Sequence, residues 1–206
     1  MRDNLIIDDN WRKSVIKSAW DFVNIIWIPT EKNLCHGKDK NGEAVNIYTP
    51  DIDCLSEKSN GWWRVNEQNQ GMPYKWGGFS TIEEFQKGIA AGKYAGNVPD
   101  FKELGNNRCV GVDCSGLVSR CWGLQEKHNT EKSPSLISVS TRIKTAELLP
   151  GDILLRYNQP SRENHVVIFV KFTDSKKSFA QIIIPAGSIS SRLSIALRTL
   201  RYRISS

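Results

Sequence analysis

The stretch Gly-Val-Asp-Cys-Ser-Gly-Leu-Val at residues 111–118 sets a thiol between a carboxylate and a hydroxyl, just ahead of an apolar run. Cysteine has two uses at such a place. Small and apolar, it fills a core; ionised, it attacks carbonyl carbon. If a helix begins near Cys114, then Leu117, Val118 and Cys121 follow at offsets of three, four and seven and form a core-facing stripe, and Gly123 supplies a stop. Cys114 then lies in the first turn. Backbone N–H groups and the positive end of the helix dipole favour a thiolate there, and the same N–H groups can receive an oxyanion. Gly116 leaves space for close approach of backbone or substrate.

Nucleophilic use needs a base. His165 opens the strand-like run His-Val-Val-Ile-Phe-Val, 51 residues after Cys114. At a strand's edge an imidazole can face a cleft and accept a proton, although a histidine taken alone is more often a structural residue. Metal chemistry is poorly supported. The histidines are His36, His128 and His165, and none of Cys35, Cys54, Cys109, Cys114 and Cys121 forms Cys-x-x-Cys, so no zinc-ligand spacing is present and no cofactor is expected.

The elements that must hold these groups are legible from periodicity. Residues 9–28 place Trp11, Val15, Ile16, Ala19, Phe22, Val23 and Ile26 at helical spacing, with Asp9 or Asn10 as cap and Pro29 as terminator. Turn signals and short strands around Ala-Val-Asn-Ile-Tyr follow over residues 30–60. The aromatic- and glycine-rich residues 61–79 suit an ordered loop, with Trp62 and Trp63 as packing groups; a short helix capped by Ser80 or Thr81 comes next. Residues 124–146 read as irregular. The remainder holds four strand-like runs, Asp-Ile-Leu-Leu-Arg-Tyr, His-Val-Val-Ile-Phe-Val-Lys-Phe, Ser-Phe-Ala-Gln-Ile-Ile-Ile-Pro-Ala and Leu-Ser-Ile-Ala-Leu-Arg-Thr-Leu-Arg-Tyr-Arg-Ile. Helices before strands predict an α+β fold in which the helix of Cys114 packs on an antiparallel sheet.

At 206 residues the chain suits one domain with an extension: a helical arm with connectors over 1–60 and the main domain over 61–206. A charged fraction of 24% against 39% hydrophobic describes a globular protein, not a disordered one. The net charge of +6 favours acidic partners, but the Lys and Arg residues are scattered and no nucleic-acid motif accompanies them, so they read as solvated faces. No apolar run is long enough for a membrane span and no opening segment has the order of a secretory signal. Action inside the cell, another export route and a leader already removed all remain open, as does the oligomeric state.

Pro-Tyr-Lys-Trp-Gly-Gly (73–78), Asp-Cys-Ser-Gly-Leu-Val (113–118), and Pro-Gly-Asp-Ile-Leu-Leu (150–155) leading to His165 together resemble, in order, the signature of the NlpC-like family of papain-fold cell-wall cysteine peptidases. The resemblance spans roughly residues 70–187. It implies Cys114 as nucleophile, His165 as base, and Tyr74 beside the thiolate, orienting substrate or stabilising the oxyanion. Asp113 and Ser115 match positions that in several members contact a substrate amine, with helix capping the alternative role for Asp113. A third polar residue, on the strand after that of His165, should orient the imidazole. Gln181 is the candidate; another register puts an isoleucine there and leaves the task to a backbone carbonyl or water.

The resemblance implies amide hydrolysis in a peptidoglycan stem peptide, most often at the bond from D-glutamate to diaminopimelate or lysine. Two rivals stand beside it. One is a papain-fold amidase, deamidase or acyltransferase using the same dyad on a protein or lipid. The other is a non-catalytic binding domain in which Cys114 only packs.

Overall fold

The computed structural model describes residues 7–34, 36–38, 44–48, 63–96, 107–156, 164–185, 193–194 and 200–204. Packing divides the chain into two units, one drawn from 1–20, 114–184 and 188–206, the other from 21–113 and 185–187. The boundary expected at residue 60, together with Cys35, Cys54 and Trp62, lies outside the described residues.

Helix α1 (Asp9–Asn24) is capped by Asp8, whose carboxylate accepts the Trp11 N–H at 2.7 Å, one residue before the expected cap. It ends before Pro29. Ile26 and Trp27 instead form β1 (Ile26–Trp27), antiparallel to β4 (Asn69–Gln70), and the Trp27 indole N–H donates to Gly71 O at 2.8 Å. Extended pairing here outcompetes about one further helical turn.

In the unit built on 21–113, β2 (His36–Lys38) pairs with β3 (Ala44–Tyr48). Helix α2 (Ile82–Ala90) opens on a capping box: Thr81 Oγ1 accepts from Glu84 N at 3.0 Å and Glu84 Oε2 accepts from Thr81 N at 2.7 Å. Its buried face carries Phe85 and Ile89. Phe85 meets Trp27 edge-on at 5.3 Å, and Trp27 in turn lies 5.4 Å from the fully buried Trp63, which packs as expected. The short parallel pair β5 (Tyr94–Ala95) and β6 (Cys109–Val110) runs beside α2, and Gly88 admits Val110: a Cβ at 88 would fall 2.4 Å from Val110 Cγ1.

The other unit holds α3 (Cys114–Cys121) and a six-stranded sheet of β7 (Ser140–Arg142), β8 (Ile153–Arg156), β9 (His165–Phe172), β10 (Phe179–Ile183), β11 (Leu193–Ser194) and β12 (Leu200–Ile204). The strand order is β11-β10-β9-β8-β12-β7 and every pairing is antiparallel. Both faces are buried, which is why β9 reads as an unbroken apolar run. Leu154, Val167, Phe169, Ala180 and Ile182 pack with Leu148 on one face; Ile153, Leu155, Val166, Ile168 and Ile183 alternate with them. Helix α3 packs on β9. The fold is therefore mixed α+β with an antiparallel sheet. Residues 124–146 are more ordered than expected, since β7 forms the edge of the sheet and two single 3₁₀ turns flank it.

A buried carboxylate ties this unit together. Asp152, 1% exposed, accepts from Arg12 Nη1 at 3.0 Å, from Arg203 Nε and Nη2 at 3.1 and 3.0 Å, and from Leu149 N at 2.8 Å.

Candidate active site

Helix α3 starts at the residue the sequence marks. Leu117, Val118 and Cys121 are buried as the stripe requires, and Gly123 takes φ +74° just past the end. At the trailing end the Trp122 indole N–H donates to Gly151 O at 2.9 Å. Cys114, 7% exposed, and Ser115, 4% exposed, occupy the first turn. His165 is the exposed first residue of β9, opposite Arg156.

Both leading ends are touched by one loop. Lys127 Nζ donates to Ser115 Oγ at 3.0 Å and to Asn129 Oδ1 at 2.9 Å. Four residues on, Glu131 Oε2 accepts from Asn164 Nδ2 at 3.0 Å, and Asn164 immediately precedes His165. Four residues span at most about 14 Å. The one stretch 127–131 thus bonds both to Ser115 in the first turn of α3 and to Asn164 just before β9. The loop is tied down from below: buried Ser119 Oγ accepts from His128 N at 3.0 Å and donates to Ser115 O at 2.7 Å, and Leu136 N returns to Asn129 O at 2.8 Å.

The aspartate and the glycine-rich motif have their own geometry in the other unit. Tyr74, half-buried, bridges Val112, two residues before Cys114 in the chain. Lys75 N donates to Val112 O at 3.0 Å and Gly78 N to Lys75 O at 2.7 Å, closing a turn whose Gly77 takes φ +71°. Asp113, 7% exposed, accepts the Gly77 N–H at 2.9 Å. Gly78 has no room for a side chain, because a Cβ would lie 2.5 Å from Gly111 O and 2.6 Å from Lys75 O. The turn of residues 73–78 and the segment Val112-Asp113 are thus hydrogen-bonded halves of one substructure.

A family model described as NlpC/P60 matches residues 71–182, more than half of the chain. The chain belongs to the NlpC/P60 family. Members are in general cysteine peptidases and amidases, hence hydrolases of amide bonds associated with the cell wall. No curated protein and no solved structure matches.

For this NlpC/P60 chain the third residue of the expected constellation needs correcting. β10 pairs Gln181 with Lys171, six residues along β9 from His165 and about 20 Å away. Strand alternation placed the glutamine correctly in β10 but could not fix which residue it faces, and a bulge between Gln181 and Ile182 shifts the register further. Gln181 therefore does not orient the His165 imidazole. β10 ends at Ile183 opposite Ile168, and Ile184-Pro185 follow without a polar side-chain atom.

Two groups were not singled out from sequence. Lys127 sits in a polar loop whose composition resembles any solvated turn. Lys75, the variable position of Pro-Tyr-Lys-Trp-Gly-Gly, is buried with Nζ donating to Cys109 O at 3.0 Å. Burial lowers its pKa below the ordinary lysine value, aided by Lys93 and opposed by Cys109 and Asp113. Among the described residues no helix is long and apolar enough to cross a membrane.

Proposed function

We propose that the chain is a papain-like cysteine peptidase that hydrolyses amide bonds in peptidoglycan stem peptides, at the bond from D-glutamate to diaminopimelate or lysine. Cys114 is the nucleophile and His165 the base. The thiolate adds to the scissile carbonyl carbon, the first-turn N–H groups of α3 receive the oxyanion, and the C–N bond breaks as the imidazolium protonates the departing amine. Water, deprotonated by His165, then cleaves the thioester and restores the thiol. Tyr74, Asp113 and Ser115 are taken as substrate-contacting residues on the motif match alone. What supports the reading most is the loop that bonds both to Ser115 in the first turn of the thiol's helix and to Asn164 just before the histidine's strand.

The test is digestion of purified muropeptides followed by mass spectrometry. The expected outcome is release of fragments ending in D-glutamate by the wild type, with turnover by Cys114→Ala reduced about 10⁴-fold or more at unchanged thermal stability. An unchanged muropeptide profile removes the cell-wall substrate, and activity retained in Cys114→Ala removes the nucleophile.

A further inference from the structure

Asn164, the residue before His165, is held unevenly. Its Nδ2 donates to Glu131 Oε2 at 3.0 Å, whereas its Oδ1 is buried and meets no donor among the described residues. A carboxylate only accepts, so the bond to Glu131 dictates which end of the amide faces it. A buried acceptor without a donor is costly, and such groups are rare. The bond to Glu131 is kept although it leaves Oδ1 unsatisfied. The sheet holds this point from one side. β10 reaches only as far as Ile168, so among the described residues the first three residues of β9 are paired on the β8 side alone. Glu131, by contrast, stands on a loop with firm anchors: His128 N donates to Ser119 Oγ inside α3, and Asn129 is bonded through its backbone to Pro134 and Leu136.

We propose that Glu131 is a positioning residue for the base: through Asn164 it fixes the start of β9, and with it His165, to the loop bonded to α3. The inference deepens the peptidase reading and rests on Cys114 and His165 reacting as a pair. The role is exerted through backbone placement, so it needs an acceptor at position 131 and not a charge.

Alkylation by iodoacetamide near neutral pH, resolved by peptide mass spectrometry, reads the base without a substrate, because an imidazole that takes the thiol proton raises the thiolate fraction. In the wild type Cys114 should label about tenfold or more faster than the buried Cys109 and Cys121, and His165→Ala should remove that advantage. Glu131→Ala should slow Cys114 about fivefold, and Glu131→Gln, which still presents a carbonyl oxygen to Asn164, should stay within about twofold of the wild type. The Glu131 side chain is exposed, so its substitution should not move the thermal midpoint. Asn164→Ala should slow labelling as much as Glu131→Ala does; it also removes the unmet acceptor, so its midpoint should not fall. In a His165→Ala background Glu131→Ala should change nothing, since its effect runs through the imidazole. Equal slowing in both backgrounds, slowing by Glu131→Gln as large as by Glu131→Ala, or no slowing in the wild-type background overturns the role of Glu131 and leaves the Cys114–His165 pair standing. Labelling of Cys114 no faster than that of Cys109 and Cys121, or indifferent to His165→Ala, overturns the pair and the inference together.

Discussion

Asp152 in one unit and Lys75 in the other are both buried charges, and the two are handled in opposite ways. Asp152 is met by two guanidinium groups and a backbone N–H, so every oxygen has a donor and the negative charge is balanced by formal positive charge. Lys75 donates to a backbone carbonyl, and its nearest opposing groups, Cys109 and Asp113, raise its pKa by less than burial lowers it. A charge met by opposite charges binds distant segments, here residues 12, 152 and 203. One held by a dipole is under pressure to give up its proton.

The largest effect is expected at Asp152. Asparagine keeps the size but removes the charge, leaving Arg12, 8% exposed, without its counter-ion. Breaking one side of a buried pair costs about 3–5 kcal/mol. Urea unfolding should show the midpoint of Asp152→Asn falling accordingly, with activity lost only in proportion to unfolding. A shift below about 1 kcal/mol would mean that Asp152 is no more an anchor than Lys75 is.

Much of this was legible beforehand, and the misses share a cause. α2, α3 and strands β8–β10 follow from local periodicity and capping, and the motif order located Cys114 and His165. Registers are different. The slot of β12 between β8 and β7 depends on pairing Tyr202 with Ile153 across some fifty residues, and the partner of Gln181 depends on a bulge; neither leaves a local signature. Asp152 was visible as part of Pro-Gly-Asp, but its partners Arg12 and Arg203 sit 140 and 51 residues away. Lys127 and Lys75 were missed because nothing in a sequence separates a lysine in water from one held against a helix or inside a turn.

A smaller effect is expected where the Lys75 turn crosses Gly111. Gly78→Ala would drive its Cβ against two backbone carbonyl oxygens, neither on a flexible side chain, so the turn must open. Overpacking of this kind costs about 1–3 kcal/mol. Because Asp113 grips the same turn through Gly77, the displacement should reach the residue preceding Cys114. Lower kcat at full occupancy of the folded state is the expected readout; a variant with wild-type stability and kcat would show that the turn is not tightly packed.

The smallest effect, and the one that sharpens the contrast most, is that of pH on Lys75. Its folded pKa lies below the ordinary lysine value of 10.5, so between the two the unfolded chain binds more protons than the folded one. Stability must then rise with pH across that interval: the penalty of burying the ammonium is fully present below the folded pKa and is relieved as pH approaches 10.5. Lys75→Met keeps the length of the side chain and removes the titration. Near pH 7 the two proteins should differ little, since the methionine loses the bond to Cys109 O but no longer buries a charge. As pH rises toward 10.5 the wild type should gain relative to the variant, read as a widening difference in urea midpoint, with other titrating groups cancelling in the subtraction. A flat difference would place the Lys75 ammonium in an environment as accommodating as that of Asp152, and the opposition between the two buried charges would fail.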